Sequence, residues 1–153
     1  MREGEVFDLE AFLPYKLNQA AEAISRDFQA IYRSSYGLTR TQWRVMTHLG
    51  KFAALTAAEI CRLSHTEKTK VSRAVAGLEG MGFLSRAPSA VDRRTEILSL
   101  TERGLAAYAD LGARALAYDQ ALRAALNEPS GAALDQLLER LIRQGDQAQD
   151  ISD

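Results

Sequence analysis

The chain has 153 residues, 46% hydrophobic and 25% charged, which excludes wholesale disorder and collagen-like repeats and fits one domain or one domain with a helical extension. One cysteine rules out a disulfide framework, and with only two histidines a Cys/His metal site is not expected, nor any cofactor. The net charge of −1 is segregated: residues 40–94 hold ten Lys/Arg against four acids, so this segment is +6 and the remainder −7. Such a basic middle between acidic ends points to a local polyanion site. No stretch approaches the roughly 20 apolar residues of a membrane span. Residues 1–10 lack the basic-then-apolar order of a signal peptide, so a reduced, cytoplasmic protein with no membrane partner is expected.

In chain order, Leu13, Leu17, Ala20, Ala21, Ile24, Phe28, Ile31 and Tyr32 recur at steps of three and four, predicting an amphipathic helix over 13–35. Pro14 suits its first turn, and Gly37 punctuates its end. Thr39 and Gln42 have capping-box spacing and open a short helix carrying Trp43, Val45, Met46 and Leu49, with Gly50 as its stop. Thr56 and Glu59 repeat the box and open a helix with Ile60 and Leu63 buried. Ser64, His65 and Thr66 form a polar turn.

A helix over 67–81 follows, with Val71, Val75 and Leu78 on one side and Lys68, Thr69, Lys70, Ser72 and Arg73 on the other. Residues 83–86 and 95–100 read as two strands joined by 87–94, whose Pro88, Ser89 and Asp92 are turn formers. Two short helices separated by a turn, then a hairpin, make a helix-turn-helix with a wing. Thr101 caps a second long helix with Leu105, Tyr108, Leu111, Leu116, Leu122 and Leu126, weakened by up to about 1 kcal/mol at each of Gly104 and Gly112 if exposed. Residues 127–131 break it, and Leu134, Leu137, Leu138, Leu141 and Ile142 mark a last helix. The terminal helices carry more leucine than the centre can cover, which predicts a helical homodimer interface. The fold expected is mainly α with a small β-hairpin wing: a dimerisation helix over 1–36, a winged helix-turn-helix lobe over 37–101, and dimerisation helices over 102–153.

The major groove, about 12 Å wide, admits one helix, and arginine, lysine, serine and threonine can address base edges or phosphates. Thr69, Lys70 and Arg73 are the candidate base-facing set, with Lys68 and Ser72 nearer phosphates. Arg93 and Arg94 stand at the base or flank of the hairpin, where the negative potential of a narrow minor groove attracts a guanidinium. Asp92 beside them would repel phosphate unless it pairs with Arg93, Arg94 or Arg86. Arg40, His65 and Arg86 are further candidate phosphate contacts. The alternative is a winged-helix protein-interaction module whose basic face meets an acidic partner. No nucleophile elbow, phosphate-cradling glycine loop or metalloprotease pair supports an enzyme.

Gly37-Leu38-Thr39 with Gln42-Trp43, Lys70-Val71-Ser72-Arg73, Leu78-Glu79, Gly82-Phe83-Leu84-Ser85-Arg86, Asp92-Arg93-Arg94 and Leu100-Thr101-Glu102-Arg103-Gly104 together resemble the MarR family of bacterial transcriptional regulators. The likeness runs from about residue 13 to 145 in matching order. It implies a homodimer on a pseudo-palindromic operator of double-stranded DNA, whose occupation would block polymerase, as a repressor does, or, less often, assist it. The helix at 67–81 would then enter the major groove, with Asp92-Arg93-Arg94 in the adjacent minor groove. It also implies release by a small aromatic or phenolic effector, for which Tyr15, Tyr36 and Trp43, near Tyr32, are the candidate pocket. Peroxide-sensing relatives keep a reactive cysteine near the N-terminus, and residues 1–60 contain none. Cys61 is therefore expected as a small buried apolar residue. His48 is expected in the packing behind Trp43, and two histidines fall short of the zinc-sensing branch.

Overall fold

The computed structural model describes residues 6–150. Helix α1 (Leu13–Tyr36) is followed by α2 (Arg40–Phe52), strand β1 (Ala54–Leu55), α3 (Ala57–Ser64) and α4 (Lys68–Gly80). Strands β2 (Leu84–Pro88) and β3 (Glu96–Leu100) precede α5 (Glu102–Leu126) and α6 (Glu128–Asp150). The chain divides into two compact units, one ending at Gly112 and the other beginning at Ala113, and each is described by itself.

Local chemistry sets most of the boundaries. Pro14 lies in the first turn of α1, and Gly37 ends it at φ 66°, a left-handed conformation that costs glycine nothing. The amides of Gly37 and Leu38 return to the carbonyls of Arg33 and Tyr32, which closes the last turn and buries Leu38. Both capping boxes form. Thr39 accepts from the Gln42 amide while Gln42 accepts from that of Thr39, and Thr56 and Glu59 do the same for α3. Gly50 does not stop α2, which continues to Phe52 and ends at Ala53 with φ 66°. Glycine at position 50 answers a different need, because a Cβ there would strike the Tyr108 ring.

The sheet has the order β1-β3-β2 and is antiparallel. Strand β1 was not expected. Its two residues pair with Leu98 and Ser99 and are too few to show an alternating pattern. Pro88 belongs to β2, opposite Glu96, rather than to the turn; β2 is an edge strand, where a missing N–H is tolerated. Thr101 caps α5 by accepting from the Gly104 amide at 3.0 Å and donating to the Gly82 carbonyl at 2.6 Å. Gly104 is not an exposed weak point: it lies buried against Phe83, where a Cβ would collide with the carbonyl.

The core of the first unit joins Leu38, Val45, Met46, Leu49, Ile60, Val71, Val75, Leu78, Leu98 and Leu111, with Tyr32 from the end of α1. Full burial of each such aliphatic side chain contributes about 1.5–3 kcal/mol relative to exposure. The apolar stripe of α1 is buried only near that end, for Tyr32 is covered while Leu13 remains 54% exposed. In the second unit the break between helices is a single residue, Asn127, at φ 60°; Glu128, Pro129 and Ser130 already belong to α6. The Asn127 side chain accepts from the Ser130 amide and so caps α6. Leu134, Leu137, Leu138, Leu141 and Ile142 all stay exposed on α6.

Candidate nucleic-acid interface

Helix α4 presents its buried side through Val71, Ala74, Val75 and Leu78, which fixes its outward side. Lys68, Thr69, Lys70, Ser72 and Arg73 are all exposed, and among the described residues none of the five engages a partner in the chain. At about 100° per residue, Thr69, Arg73 and Ala76 fall along the middle of the outward face, with Ser72 and Lys68 toward one flank and Lys70 toward the other. The N-cap position, Glu67, makes no side-chain cap, and the first turn carries no acid. Two lysines therefore sit at the positive end of the helix dipole, a placement unfavourable to the helix but suited to an approaching anion.

The wing closes through local bonds. The Ser89 amide donates to the Thr95 carbonyl, and the Thr95 amide to the Asp92 carbonyl, which makes Arg93 and Arg94 the central residues of a β-turn. Ser89 Oγ accepts from the amides of Val91 and Asp92. Asp92 does not hold a guanidinium. Its Oδ1 accepts from the Arg94 amide at 3.0 Å in an Asx turn, and its Oδ2 faces Thr95 Oγ1 at 3.5 Å. Arg93 and Arg94 thus occupy the turn itself rather than the base of the hairpin, with both side chains exposed beside the almost fully exposed Val91.

The other cations differ. Arg86 makes ion pairs at 3.0 Å with Glu79 at the end of α4 and with Glu96 on β3, which raise its pKa, Glu96 contributing most. Sequence reasoning missed both carboxylates. The alternation along β2 was the available signal, because Arg86 shares a face with the buried Leu84. Arg40 forms a bidentate pair with Glu22 of α1 at 2.9 and 3.1 Å and reaches Gln29 at 3.4 Å. That pair holds the Glu22 carboxyl below the usual glutamate range and raises the Arg40 pKa, while burial pushes the Tyr32 phenol up. His65 is exposed and left-handed (φ 50°), ending α3 at the turn before α4.

The three candidate pocket aromatics are not brought together. Tyr15 and Tyr36 lie on one helix 21 residues apart, about 31 Å at 1.5 Å per residue. Trp43 stacks on Tyr32 with ring centres 5.8 Å apart and lies near Phe28 and Tyr108. Tyr36 instead donates its hydroxyl to Asp110 Oδ2 at 2.7 Å, with its ring edge-on to Phe83. Cys61 is half-buried rather than buried, and lines an open groove with Ala57, Ala58, Arg62 and Lys68. His48 is not behind Trp43. It bonds the Arg44 carbonyl at 2.7 Å and borders a second groove with Phe52 and Leu63. Among the described residues no His/Cys/Asp/Glu group could hold a metal ion, and no helix is long and apolar enough to cross a membrane.

Helices α3 and α4, the turn at His65 and the β2–β3 hairpin define a winged helix-turn-helix DNA-binding lobe. Residues 36–95 match the model of the MarR family. The uncharacterised HTH-type transcriptional regulator YwoH of Bacillus subtilis is 24% identical over 132 residues, 86% of this chain and 95% of the relative. The crystal structure of the MarR family transcriptional regulator SPO1453 from Silicibacter pomeroyi DSS-3 superposes with a TM-score of 0.79 at 27% identity, over 91% of this chain and 98% of that one. BpsR of Bordetella bronchiseptica, in a structure concerned with regulation of its DNA binding by 6-hydroxynicotinic acid, shares the fold at 20% identity and a TM-score of 0.79, over 90% and 97% of the two chains. Across its winged-helix lobe the chain is thus similar to the MarR family, and the relatives it matches over most of its length are transcriptional regulators.

Proposed function

We propose that the chain is a repressor that binds a pseudo-palindromic operator as a homodimer, with α4 in the major groove and the Asp92-Arg93-Arg94 turn in the adjacent minor groove. The observation that carries this reading is the first turn of α4, where Lys68 and Lys70 flank Thr69 without any acid, against the preference of an isolated helix. Thr69 and Arg73 on the outward midline address base edges, while Lys68 and Lys70 on the flanks, with Ser72 beside Lys68, reach phosphates. Lys70 thereby joins Lys68 and Ser72 as a phosphate contact rather than a base-facing residue. His65, beside the start of α4, is a further phosphate contact. Arg40, paired with Glu22, contributes less, and Arg86, held by Glu79 and Glu96, is not a phosphate contact in this reading.

The homodimer rests on the exposed leucines of α6, and two-fold symmetry then sets half-sites about 10 to 10.5 base pairs apart, centre to centre. A cytoplasmic location and a non-enzymatic role are part of the same proposal. A small aromatic or phenolic effector is the proposed releasing ligand. BpsR, which has this fold, is named with 6-hydroxynicotinic acid.

The test is selection from random duplex DNA by the purified protein, followed by polarisation titrations at two salt concentrations. A palindromic consensus is expected, with binding that weakens by about 0.9 in the slope of log K against log salt for each phosphate contacted. Absence of any enriched sequence would favour the protein-interaction module instead.

A further inference from the structure

Arg86 carries more than its own charge. In the hairpin register Leu84 faces Leu100, Arg86 faces Leu98 and Pro88 faces Glu96, so all six share the inner face of the hairpin. Leu84, Leu98 and Leu100 are buried, and the core therefore ends at Arg86. Beyond it the wing has no apolar layer against the lobe. At this junction the guanidinium uses Nε for Glu79 at the last turn of α4 and one terminal nitrogen for Glu96 on β3, each at 3.0 Å. The Arg86 side chain is 33% exposed and the two carboxylates 45% and 54%, so solvent reaches both pairs. One planar fork thus ties the wing to the helix it must accompany, a geometry that lysine's point charge does not reproduce.

We propose that Arg86 is a positioning residue, and that with Glu79 and Glu96 it forms a clasp fixing the wing turn relative to α4, so that both reach one duplex together. The proposal rests on the DNA-binding reading above and concerns how that face is organised. It reverses the sign expected from charge alone. Glu79 and Glu96 are anions in a lobe that approaches a polyanion, so simple electrostatics has their removal tighten binding. A clasp has it weaken binding, because the wing then pays ordering entropy on docking.

The experiment compares the wild type with Arg86→Gln, Glu79→Ala and Glu96→Ala. Duplex affinity is measured on the sequence that the wild type selects, over a range of salt. Amide hydrogen exchange of residues 87–95 is measured in the free proteins. All three variants are expected to bind about threefold to fivefold more weakly, the scale of a partly exposed ion pair, and to exchange their wing amides faster. The salt slope of Arg86→Gln is expected to match the wild type. Equal or tighter binding by the two acid-to-alanine variants would overturn the clasp. So would a slope in Arg86→Gln reduced by about 0.9 per subunit, since Arg86 would then be contacting phosphate directly. If the wild type selects no DNA, the regulator reading fails on its own account. Wing exchange then decides the clasp alone, and unchanged rates in all three variants would overturn it.

Discussion

The carboxylate of Asp92 accepts the backbone amide of Arg94 at 3.0 Å, so the acid of the wing shapes the turn rather than neutralising its arginines. Replacing it by alanine removes that bond, worth about 0.5–1.5 kcal/mol, and the long one from Thr95 Oγ1 to Oδ2. Asp92→Ala is expected to weaken duplex binding and to lower the melting temperature by no more than a few degrees. Asp92→Asn keeps an acceptor and loses an anion, so it should bind at least as tightly as the wild type. Equal loss in both variants, by polarisation titration, would contradict a turn-shaping role.

Arg73 and Lys70 are expected to separate in their effects, given their places on the outward face of α4. Arg73→Ala should cost about 1–3 kcal/mol on the selected operator and relax preference at one base position. Lys70→Ala should weaken selected and random duplexes alike and reduce the salt slope by about 0.9 per subunit. Titrations of both variants on both duplexes check the pair, and equal loss for Arg73→Ala on the two duplexes would reduce it to a phosphate contact.

Gly104 touches the Phe83 backbone, which cannot move aside as a side chain would. Gly104→Ala should therefore destabilise the protein by about 1–3 kcal/mol, the range for overpacking a filled site. Gly112→Ala meets nothing within 4 Å and should be neutral or slightly stabilising. Urea denaturation of the two variants measures the contrast.

A subunit of 16.8 kDa is expected to sediment as a dimer at micromolar concentration, because Leu137, Leu138, Leu141 and Ile142 line one exposed stretch of α6. Leu138→Glu with Leu141→Glu should shift the protein toward the monomer mass. A wild type that already sediments near that mass would remove the dimer.

The Arg40 guanidinium depresses the Glu22 carboxyl, so this pair stabilises the fold above the ordinary glutamate range and loses its effect as pH falls through the lowered value. Glu22→Gln should melt below the wild type at neutral pH, and the two melting curves should converge at strongly acidic pH. A constant gap across the whole range would mean that charge is not the cause.

What could be read without coordinates was whatever a few adjacent residues decide. The boxes Thr39/Gln42 and Thr56/Glu59 need only three-residue spacing, and both form. The apolar spacing of Val71, Val75 and Leu78 placed α4 to within a residue at each end. Features set by distant neighbours were not legible. Gly50 and Gly104 look like helix breakers in sequence, yet their neighbours are Tyr108 and the Phe83 carbonyl. The grip of Glu79 and Glu96 on Arg86 depends on the hairpin register and on where α4 ends. The separation of Tyr15 from Tyr36 needed no coordinates, since a continuous helix of that length already keeps them apart.

Every hydrogen bond that shapes the wing turn begins and ends within residues 89–95, from the Ser89 and Thr95 backbone to the Asp92 side chain. The segment therefore behaves as a cassette seated on β2 and β3. Transplanting another seven-residue turn with its own internal closure would leave the three-stranded sheet undisturbed. Groove preference at the operator's flanks can in this way be retuned independently of what α4 reads at its centre.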